Sequence, residues 1–490
     1  MATTKQTDKL FLKKIFIYAS IIISGLCWYF SNGLSGDFWY LLWFAPIPVL
    51  LISFKTTGKM TFIISFIAYL IGRLSWFSFL AGVATLVPAI IFTIALPLIF
   101  ALIMPITRRT VIKSRSWYSV FAFPVFFTTF ELLLIKFSAD GTAGSIAYSQ
   151  SNFLPLIQIA SVTGILGITF LVTFIPSVIA VGWHYRKEKN TFRYLTMISA
   201  IIIVSVFLFG IIRINNSSEK NTITMGLAVL DEKLHNVTAH PEFTKEKLLA
   251  KSYAMQVSNF AVRGAQLVVL PERAININKE TASDIINILS NTAKQNHVFI
   301  ITGYTNFRND PERNSALVIN AEGNVVVDYN KVHLIKGLES EFTPGSEPGL
   351  FTLNEIQAGT AICKDLDFPD YIKRYGKSKI NFLCIPAWDF VKDDWLHSRM
   401  SILRGVENGF AEVRSARLGR LTISDCYGRV TYEAISSNGK EAALLGKVSF
   451  EKRDTIYTRL GDWFGIANLI AAICFIFFVG RKSEKLKPEL

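Results

Sequence analysis

Three short stretches of the sequence carry side chains that are suited to acyl-transfer chemistry. Cys363 follows the apolar run 358–362, which predicts a buried strand. Glu272 comes just after a second such run, 266–270, and Lys331 lies in an apolar and aromatic setting. A strand is rigid and the turn after it is exposed, so a residue at this junction is well placed to act on a substrate.

These three residue types have complementary roles in thiol chemistry. A cysteine nucleophile needs a group that takes its proton and a positive group that stabilises the developing oxyanion. Glu272 can act as the general base, and Lys331 can stabilise both thiolate and oxyanion. The backbone N–H of Lys364 offers a second oxyanion donor. The residue types alone leave one alternative open, namely a surface salt bridge beside an inert buried cysteine.

The composition indicates membrane helices joined to a water-soluble part. Of 490 residues, 51% are hydrophobic, 39 are phenylalanine and only 18% are charged. What the net charge of +14 indicates depends on where the basic residues lie in the sequence. Because they mark membrane topology, as described below, we expect no nucleic-acid partner.

Cysteine and histidine usage argues against metal sites and disulfide frameworks. The five cysteines (27, 363, 384, 426 and 474) include no Cys-x-x-Cys pair. The six histidines show no ligand spacing. We therefore expect no metal and no cofactor. Cys384, in a predicted strand, and Cys426 are expected to be structural.

Long apolar runs fill the first 213 residues, and one more lies near the end of the chain. Each is near the ~20 residues that a helix needs to cross a bilayer. We predict eight transmembrane helices, near residues 15–31, 38–54, 60–80, 84–106, 116–135, 155–182, 194–212 and 463–479.

Basic residues precede the first run, occupy every second connection and follow the last run. The connections between them carry only Lys136. Because Lys and Arg mark the cytoplasmic face, both termini are expected in the cytoplasm and residues 214–460 on the outer, periplasmic face of a bacterial inner membrane. The basic residues are Lys5, Lys9, Lys13, Lys14, Lys55, Lys59, Arg108, Arg109, Lys113, Arg115, Arg186, Lys187, Lys189, Arg193, Arg481, Lys482, Lys485 and Lys487.

We predict three parts: residues 1–213 as a seven-helix membrane domain, 214–460 as the outer domain, and 461–490 as a last helix with a basic tail. The outer domain follows a polar linker, 215–221, and mixes short β-rich runs with helical patterns, as in layered α/β or α+β domains. Strands are expected at 223–230, 266–270, 298–302, 316–320, 325–328, 358–362, 381–385, 411–416, 421–424 and 442–450, and helices at 243–262, 282–295 and 394–410, the last capped by Asp394.

The three motifs resemble, in order and spacing, the Glu-Lys-Cys signature of the nitrilase superfamily. They are Leu-Pro-Glu at 270–272, Lys-Val-His-Leu at 331–334 and Ile-Cys-x-Asp-Leu-x-Phe-Pro at 362–369. The resemblance implies an α-β-β-α sandwich for the outer domain. Further matches are Pro386, Ala387, Trp388, Asp389, His397, Arg404, Glu407, Arg414, Gly419, Asp425 and Gly428.

Seven helices before such a domain and one after it are similar to the membrane branch of this superfamily, the apolipoprotein N-acyltransferases. Glu131-Leu132-Leu133 and the segment 141–150, which includes Tyr148, look like that family's fifth-to-sixth helix region. The resemblance implies that Cys363 takes an acyl chain from a phospholipid donor as a thioester. The chain then passes to the α-amino group of the diacylglyceryl-cysteine of an apolipoprotein acceptor.

The resemblance also suggests supporting residues. Glu339 maps onto the family's second essential glutamate and is expected to orient Lys331 or the proton of Glu272. Lys364 and Asp365 replace the usual Tyr-Glu, and a Lys364 side chain that pointed inward would depress the cysteine pKa. Trp388 is a candidate substrate wall or core aromatic. Glu131 and Tyr148 are candidates for the membrane side of the site, with a structural hydrogen-bonding role equally open for Glu131.

Two alternatives remain at this stage. A membrane-tethered carbon–nitrogen hydrolase would use the same triad and pass the acyl group to water. A transporter or receptor would use its helices and only bind ligand with the outer domain. The helices lack a Gly/Pro-interrupted pair in two matching halves, which is the usual sign of a transport site.

Overall fold

The structure is a computed structural model that describes residues 2–83, 85–216, 221–236, 242–308 and 310–481. Within the predicted linker 215–221, residues 217–220 lie outside this range. The predicted basic residues Lys482, Lys485 and Lys487 of the tail also lie outside the described residues.

The N-terminal part consists of helices. Three 3₁₀ helices interrupt them, at Trp39–Trp43, Trp117–Phe121 and Ile146–Gln150. The α-helices are α1 (Ala2–Phe30), α2 (Ile47–Ser53), α3 (Gly58–Val83), α4 (Leu86–Ser114), α5 (Ala122–Phe137), α6 (Leu154–Ile157), α7 (Ala160–Thr163), α8 (Ile165–Tyr185) and α9 (Lys189–Asn215).

Within the described residues, six helical segments are long and apolar enough to cross a membrane, judged by length and composition. Their side chains that face away from the bundle are apolar and exposed, as expected for a lipid-facing surface. The six segments are Leu12–Phe30, Gly58–Val83, Leu86–Ser114, Trp117–Phe137, Ile165–Tyr185 and Lys189–Asn215.

The prediction of a continuous helix near 38–54 is wrong. This run divides into the 3₁₀ helix and α2, with Pro46 between them. Pro46 and Pro48 have no backbone N–H, so the hydrogen bonds of a continuous helix cannot form there. The predicted helix 155–182 is likewise divided into α6, α7 and α8, and Gly164 has a φ of 67° before α8 begins.

The outer domain is built from thirteen strands and six helices among the described residues. The strands are β1 (Thr222–Val229), β2 (Leu267–Val269), β3 (Ile275–Asn278), β4 (Phe299–Phe307), β5 (Arg313–Ile319), β6 (Val325–Asn330), β7 (Gly349–Leu353), β8 (Ile356–Thr360), β9 (Phe382–Trp388), β10 (Ala411–Arg417), β11 (Arg420–Ser424), β12 (Val430–Ile435) and β13 (Ala442–Ser449). The helices are α10 (Glu232–His235), α11 (Glu242–Val262), α12 (Ala282–Asn296), α13 (Pro369–Lys377), α14 (Asp394–Asn408) and α15 (Ile456–Leu460); α16 (Trp463–Arg481) follows the domain.

The strands form two sheets. One has the order β13-β1-β2-β4-β5-β6, with β3 paired to β4, and the other has the order β12-β11-β10-β9-β8-β7. The pairs β1–β2, β2–β4, β8–β9 and β9–β10 are parallel, and the outer pairs are antiparallel. Both sheets thus have their parallel strands at the centre.

Side-chain alternation along the central strands separates three apolar clusters. Leu267 and Val269 belong to a cluster that contains residues of both sheets, whereas Val268 packs with α11 and α12. In β9, Cys384 joins the cluster shared by the sheets, and Leu383 packs with residues of α13. This period of two is what a strand buried on both faces requires.

Several local predictions need correction. Strands β3, β7 and β12 and helices α10, α13 and α15 do not appear in the sequence prediction. The N-cap of α14 is Asp393, and the predicted cap Asp394 is the first helical residue. The missed strands are short or lie at the edge of a sheet, where the apolar pattern is weak.

Buried polar contacts join the outer domain to the helical part. The Gln158 side chain donates to the Tyr427 carbonyl at 2.8 Å, and the Ile165 N–H donates to Glu407 at 2.9 Å. At a third contact, the Thr142 N–H donates to the Asp367 carbonyl at 2.9 Å. The last contact ties the loop after α5 to the turn that carries Cys363.

Candidate active site

Strand ends bring the three predicted site residues to one place. Glu272 lies just after β2, Lys331 directly after β6, and Cys363 at the start of the 3₁₀ helix that follows β8. Cys363 has a φ of 39°, which is sparsely populated for a non-glycine residue. Because such strain persists only where the surroundings impose it, it is typical of functional turns.

Lys331 is completely buried and held between two carboxylates. Its Nζ lies 2.7 Å from Glu272 Oε1, and 3.1 and 2.9 Å from the two oxygens of Glu339. Burial lowers the pKa of Lys331, but the carboxylates of Glu272 and Glu339 overcome this and raise the pKa above its ordinary value. Lys331 is therefore an ammonium at neutral pH, and Glu339 lies where the resemblance predicts it.

Asn314, which none of the sequence motifs indicated, completes this group. Its Nδ2 donates to Glu272 Oε1 at 2.6 Å and to Glu339 Oε1 at 2.6 Å. The Asn314 carbonyl also accepts from the Lys331 N–H at 2.9 Å. A polar residue inside the apolar strand β5 was the available signal, but the predicted strand began only at residue 316.

Asp365 links the segment that follows Lys331 to the turn that carries Cys363. One carboxylate oxygen accepts from the N–H groups of Val332 and His333 at 3.1 and 2.8 Å. The other accepts from Tyr329 Oη at 2.6 Å and from the Ile362 N–H at 3.0 Å. Asp365 is fully buried, so each of these bonds is protected from competing water.

Cys363 is a neutral thiol at rest. Burial raises its pKa well above the ordinary value, Glu272 raises it further, and Lys331 opposes them. The thiol lies 3.6 Å from the Trp388 carbonyl. Glu272 and Lys331 are thus close enough to the sulfur to influence its pKa.

Lys364 does not depress the thiol pKa as an inward orientation would predict. Its Nζ lies 2.8 Å from Asp140, in the loop after α5, and 3.6 Å from Asp367. Burial lowers the pKa of Lys364, and Asp367 and Asp140 raise it to a net increase. Lys364 thus links the cysteine turn to the helical part.

Trp388 forms a wall of the site. The Arg417 guanidinium lies 4.0 Å from the centroid of its ring, and the Arg273 guanidinium lies 5.6 Å away. The next residue, Asp389, is buried and accepts from Arg414 at 2.9 Å. Trp388 thus lines the cavity and also packs against other side chains, so both alternatives for it stay open.

A cavity of about 590 Å³ opens beside these residues. It is lined by Glu272 and Glu339, by Trp388, and by residues of the end of α3 such as Phe79 and Val83. Since α3 is long and apolar enough to span a membrane, the cavity connects the polar site to the lipid-facing part of the molecule. A volume of this size suits a small ligand or part of an acyl chain.

Glu131 and Tyr148 lie apart from the described lining of this cavity. Glu131 is buried and accepts hydrogen bonds from Ser145 Oγ and the Ile146 N–H, both at 2.9 Å, and from Thr169. Tyr148 Oη donates to Thr142 at 2.6 Å and accepts from a buried arginine of α14. Both side chains stabilise the loop after α5, which agrees with the structural alternative for Glu131.

Two family models match this chain and together cover most of it. One, described as apolipoprotein N-acyltransferase N-terminal domain, matches residues 24–178. The other, described as carbon-nitrogen hydrolase, matches residues 233–447. The chain belongs to the apolipoprotein N-acyltransferase family. Its outer domain belongs to the nitrilase superfamily, as the Glu-Lys-Cys motifs predict.

Curated apolipoprotein N-acyltransferases align along nearly the whole chain. The protein of Geobacter metallireducens is 22% identical over 90% of this chain and 92% of its own length. Apolipoprotein N-acyltransferase 1 of Treponema denticola is 25% identical over 91% of this chain and 93% of its own. A 2-oxoglutaramate amidase of Bacillus subtilis is 31% identical but covers 24% of this chain and 48% of its own. Among solved structures, an amidase from Nesterenkonia sp. aligns with a TM-score of 0.43 and 16% identity, over 50% of this chain and 96% of that one.

Proposed function

We propose that this protein transfers an acyl chain from a phospholipid to the N-terminal diacylglyceryl-cysteine of apolipoproteins, through a thioester on Cys363. The Cys363 sulfur attacks the ester carbonyl carbon of the donor while Glu272 takes the thiol proton. The C–S bond forms, the ester C–O bond breaks, and Glu272 returns the proton to the departing lysophospholipid oxygen. Because the thiol pKa is raised, the proton must leave as the sulfur attacks.

In the second half-reaction the α-amino group of the acceptor attacks the thioester carbonyl. The N–C bond forms, the C–S bond breaks, and the amine proton passes through Glu272 to the cysteine sulfur. Lys331 stabilises the oxyanion of both tetrahedral intermediates, and Glu339 and Asn314 hold Lys331 and Glu272 in position. The observation that carries this proposal is the buried Lys331–Glu272 pair at 2.7 Å beside a nucleophile with positive φ.

The membrane arrangement of the proposal follows from the helices and the basic residues. We propose eight crossings, with segment 39–53 as a broken crossing and α16 as the last one. Both termini are then cytoplasmic, and the catalytic domain, residues 214–460, is an α-β-β-α sandwich on the outer face. The six long apolar segments and the cavity that reaches α3 support this arrangement.

The hydrolase alternative differs only in what attacks the thioester. It has less support, because the relatives that align along most of this chain are acyltransferases and the amidase aligns over 24% of it. The deciding assay incubates the enzyme with an acyl-labelled phospholipid and a diacylated lipopeptide. We expect an amide-linked third acyl chain on the lipopeptide. We also expect a labelled thioester on the proteolytic fragment of the enzyme that contains Cys363.

Cys363→Ala should abolish both products, whereas Cys474→Ala should leave them unchanged. Cys474 is exposed on α16 and makes a matched control for loss of a thiol. Release of labelled fatty acid to water without any amide product would contradict the transferase and support the hydrolase.

A further inference from the structure

Arg273 lies at the edge of the cavity beside Glu272, and its guanidinium has no ion-pair partner among the described residues. Its Nε donates to Thr305 at 3.3 Å, and its guanidinium carbon lies 5.1 Å from the centroid of Phe342. Arg273 is partly exposed and lines the cavity. None of the ion pairs found among the described residues includes it. The neighbouring Arg417, in contrast, is paired with Glu232 at 2.6 Å.

The backbone holds Arg273 in a strained conformation with a φ of 49°. The Ala274 N–H donates to the Gly303 carbonyl at 2.9 Å, and Arg417 donates to the Arg273 carbonyl at 3.1 Å. A Cβ on Gly303 would lie 2.6 Å from Glu272 Cα, so only glycine permits this close approach. A long polar side chain in such a conformation is typical of a functional position.

Arg273 and Lys392 add two positive charges to the cavity, while one negative charge remains because Glu272 and Glu339 share a single lysine, so the net excess is one positive charge. The carboxylates of Glu272 and Glu339 are paired with Lys331, and Asp389 is paired with Arg414. Lys392 lines the same cavity and contacts only the Ser78 hydroxyl of α3, at 3.4 Å, among the contacts found for it in the described residues. The remaining lining is largely apolar: Phe79, Val83, Ile335, Leu338, Phe390 and Val391.

A second, polar cavity of about 350 Å³ shares Arg273, Trp388 and Leu418 with the first. Arg273 therefore lies at the boundary between an apolar compartment and a polar one. In a glycerophospholipid, the phosphate lies between the chain-bearing glycerol and the polar head group. When the acyl chain occupies the first, apolar cavity, the phosphate therefore lies at this boundary.

We propose that Arg273, assisted by Lys392, binds the phosphodiester anion of the acyl donor. This inference rests on the proposed function, since it needs a phospholipid in the cavity. Only the glycerol carbons separate the donor's ester from its phosphate, and Arg273 is the residue next to the proposed base. The planar guanidinium matches phosphate oxygens in geometry and charge. Arg273 would thus select phospholipids over neutral esters in the first half-reaction.

The test compares two acyl donors on the full-length enzyme in detergent micelles. One is a diacyl glycerophospholipid and the other is p-nitrophenyl palmitate, which has no phosphate. Formation of the Cys363 thioester is followed by intact mass in single turnover. Arg273→Met keeps the stem against Trp388 and removes the charge. We expect it to slow acylation by the phospholipid about 10- to 100-fold, as for loss of a charge-assisted hydrogen bond, and to change the rate with the neutral ester by less than about twofold.

Arg263→Met is the matched control, because Arg263 is exposed at the end of α11, and it should behave as the wild type with both donors. Equal slowing of both donors by Arg273→Met would indicate a structural role and overturn the phosphate site. An unchanged rate with the phospholipid would overturn it as well. If neither donor forms a thioester on the wild type, the proposed function is overturned, and the phosphate site with it.

Free inorganic phosphate is the other anion that presents phosphate oxygens to Arg273. Inorganic phosphate at about 10 mM should leave the wild-type rate with either donor unchanged, because the contact gains its strength from an anchored acyl chain. Inhibition of the wild type by inorganic phosphate, absent in Arg273→Met, would show a site for the free anion and overturn the lipid assignment.

Discussion

At the scale of single residues, the site combines the half-buried neutral thiol of Cys363 with a buried group of Lys331, Glu272 and Glu339 that share hydrogen bonds. Cys363 cannot ionise easily, because burial and Glu272 both oppose a thiolate. Lys331 cannot lose its proton easily, because two carboxylates hold it. Lys331 therefore rests as an ammonium and Cys363 as a neutral thiol.

Alkylation of Cys363 by iodoacetamide should report this resting state. Only the thiolate reacts, so the rate should rise with pH and its inflection should lie above the ordinary thiol pKa of about 8.5. Site-resolved mass spectrometry between pH 6 and 10 measures the rate at this position, with Cys363→Ala as the blank. An inflection below pH 7 would contradict the raised pKa.

Asn314→Ala should weaken the site without removing any of its charged groups. It deletes two hydrogen bonds to buried carboxylates, Glu272 and Glu339, each worth about 1.5–3 kcal/mol. We expect thioester formation to slow by at least about tenfold. Asn287→Ala, on the exposed face of α12, is the control and should keep the wild-type rate. Equal rates for Asn314→Ala and Asn287→Ala would show that Asn314 does not contribute to thioester formation.

At the scale of elements, loops and helix ends position the cysteine turn. Thr142 and Gly141, in the loop after α5, lie directly on Asp367, four residues after the nucleophile. Helix α14 packs against the same turn, and its N-cap residue Asp393 forms an ion pair with His397 at 2.7 Å. The contact between this loop and Asp367 is distant in sequence from the triad, yet it limits how the turn can move.

Gly141→Ala should impair acylation through this loop. A Cβ at Gly141 would lie 2.3 Å from the Asp367 carbonyl oxygen, so the cysteine turn must shift. We expect thioester formation to fall by about tenfold or more, since small misplacements of reacting groups are costly.

Gly144→Ala separates this clash from backbone strain alone. Both glycines have positive φ, 53° and 90°, but nothing lies within 4 Å of a Cβ at Gly144. This variant should retain most of the acylation rate measured by intact mass. Similar losses in the two variants would mean that the contact with Asp367 has no special effect on the site.

The charged His397 should make stability depend on pH. Burial lowers its pKa, but Asp393, Asp389 and Asp367 raise it to about 9. A folded pKa above the unfolded value of about 6.5 gives stabilisation that is complete below pH 6.5 and is lost as pH rises through about 9. The Tm advantage of the wild type over His397→Gln should therefore be larger at pH 6 than at pH 9.5. An equal advantage at both values would contradict the ion pair.

At the scale of the whole molecule, a membrane bundle and a two-sheet domain share one functional cavity. Apolar residues of α3 line it from the membrane side, and Glu272, Glu339 and Trp388 line it from the outer domain. Polar contacts such as the half-buried Lys364–Asp140 pair join the two parts. This arrangement suits a reaction whose substrates are both lipids, because neither has to leave the membrane surface completely.

Membrane topology can be tested with introduced cysteines and a membrane-impermeant maleimide. Lys440→Cys, in the exposed turn between β12 and β13, should react in intact spheroplasts. Lys187→Cys, between α8 and α9, should react only after the membrane is permeabilised. Site-resolved mass spectrometry of the labelled peptides gives the result. Labelling of residue 187 in intact spheroplasts would reverse the orientation that the basic residues predict.

Local patterns in the sequence were sufficient for the main outline. Apolar runs of membrane length and short β-rich runs predicted the helical part and the central strands, and the motifs that contain Glu272, Lys331 and Cys363 predicted the superfamily. These features depend on residues that are near in sequence or on strand ends that a sheet gathers on its own. Pro46 shows the limit of the approach, since the run 38–54 is apolar enough to span a membrane but contains a break.

Contacts between distant segments were decided only by the tertiary structure. Lys364 and Asp140 are 224 positions apart, and no periodicity connects them. The same holds for Asn314, which contacts two carboxylates, and for Arg273, which has no ion-pair partner among the residues that the structure describes. Sequence periodicity reports which face of an element is buried, whereas the partner on that face depends on the packing of the whole chain.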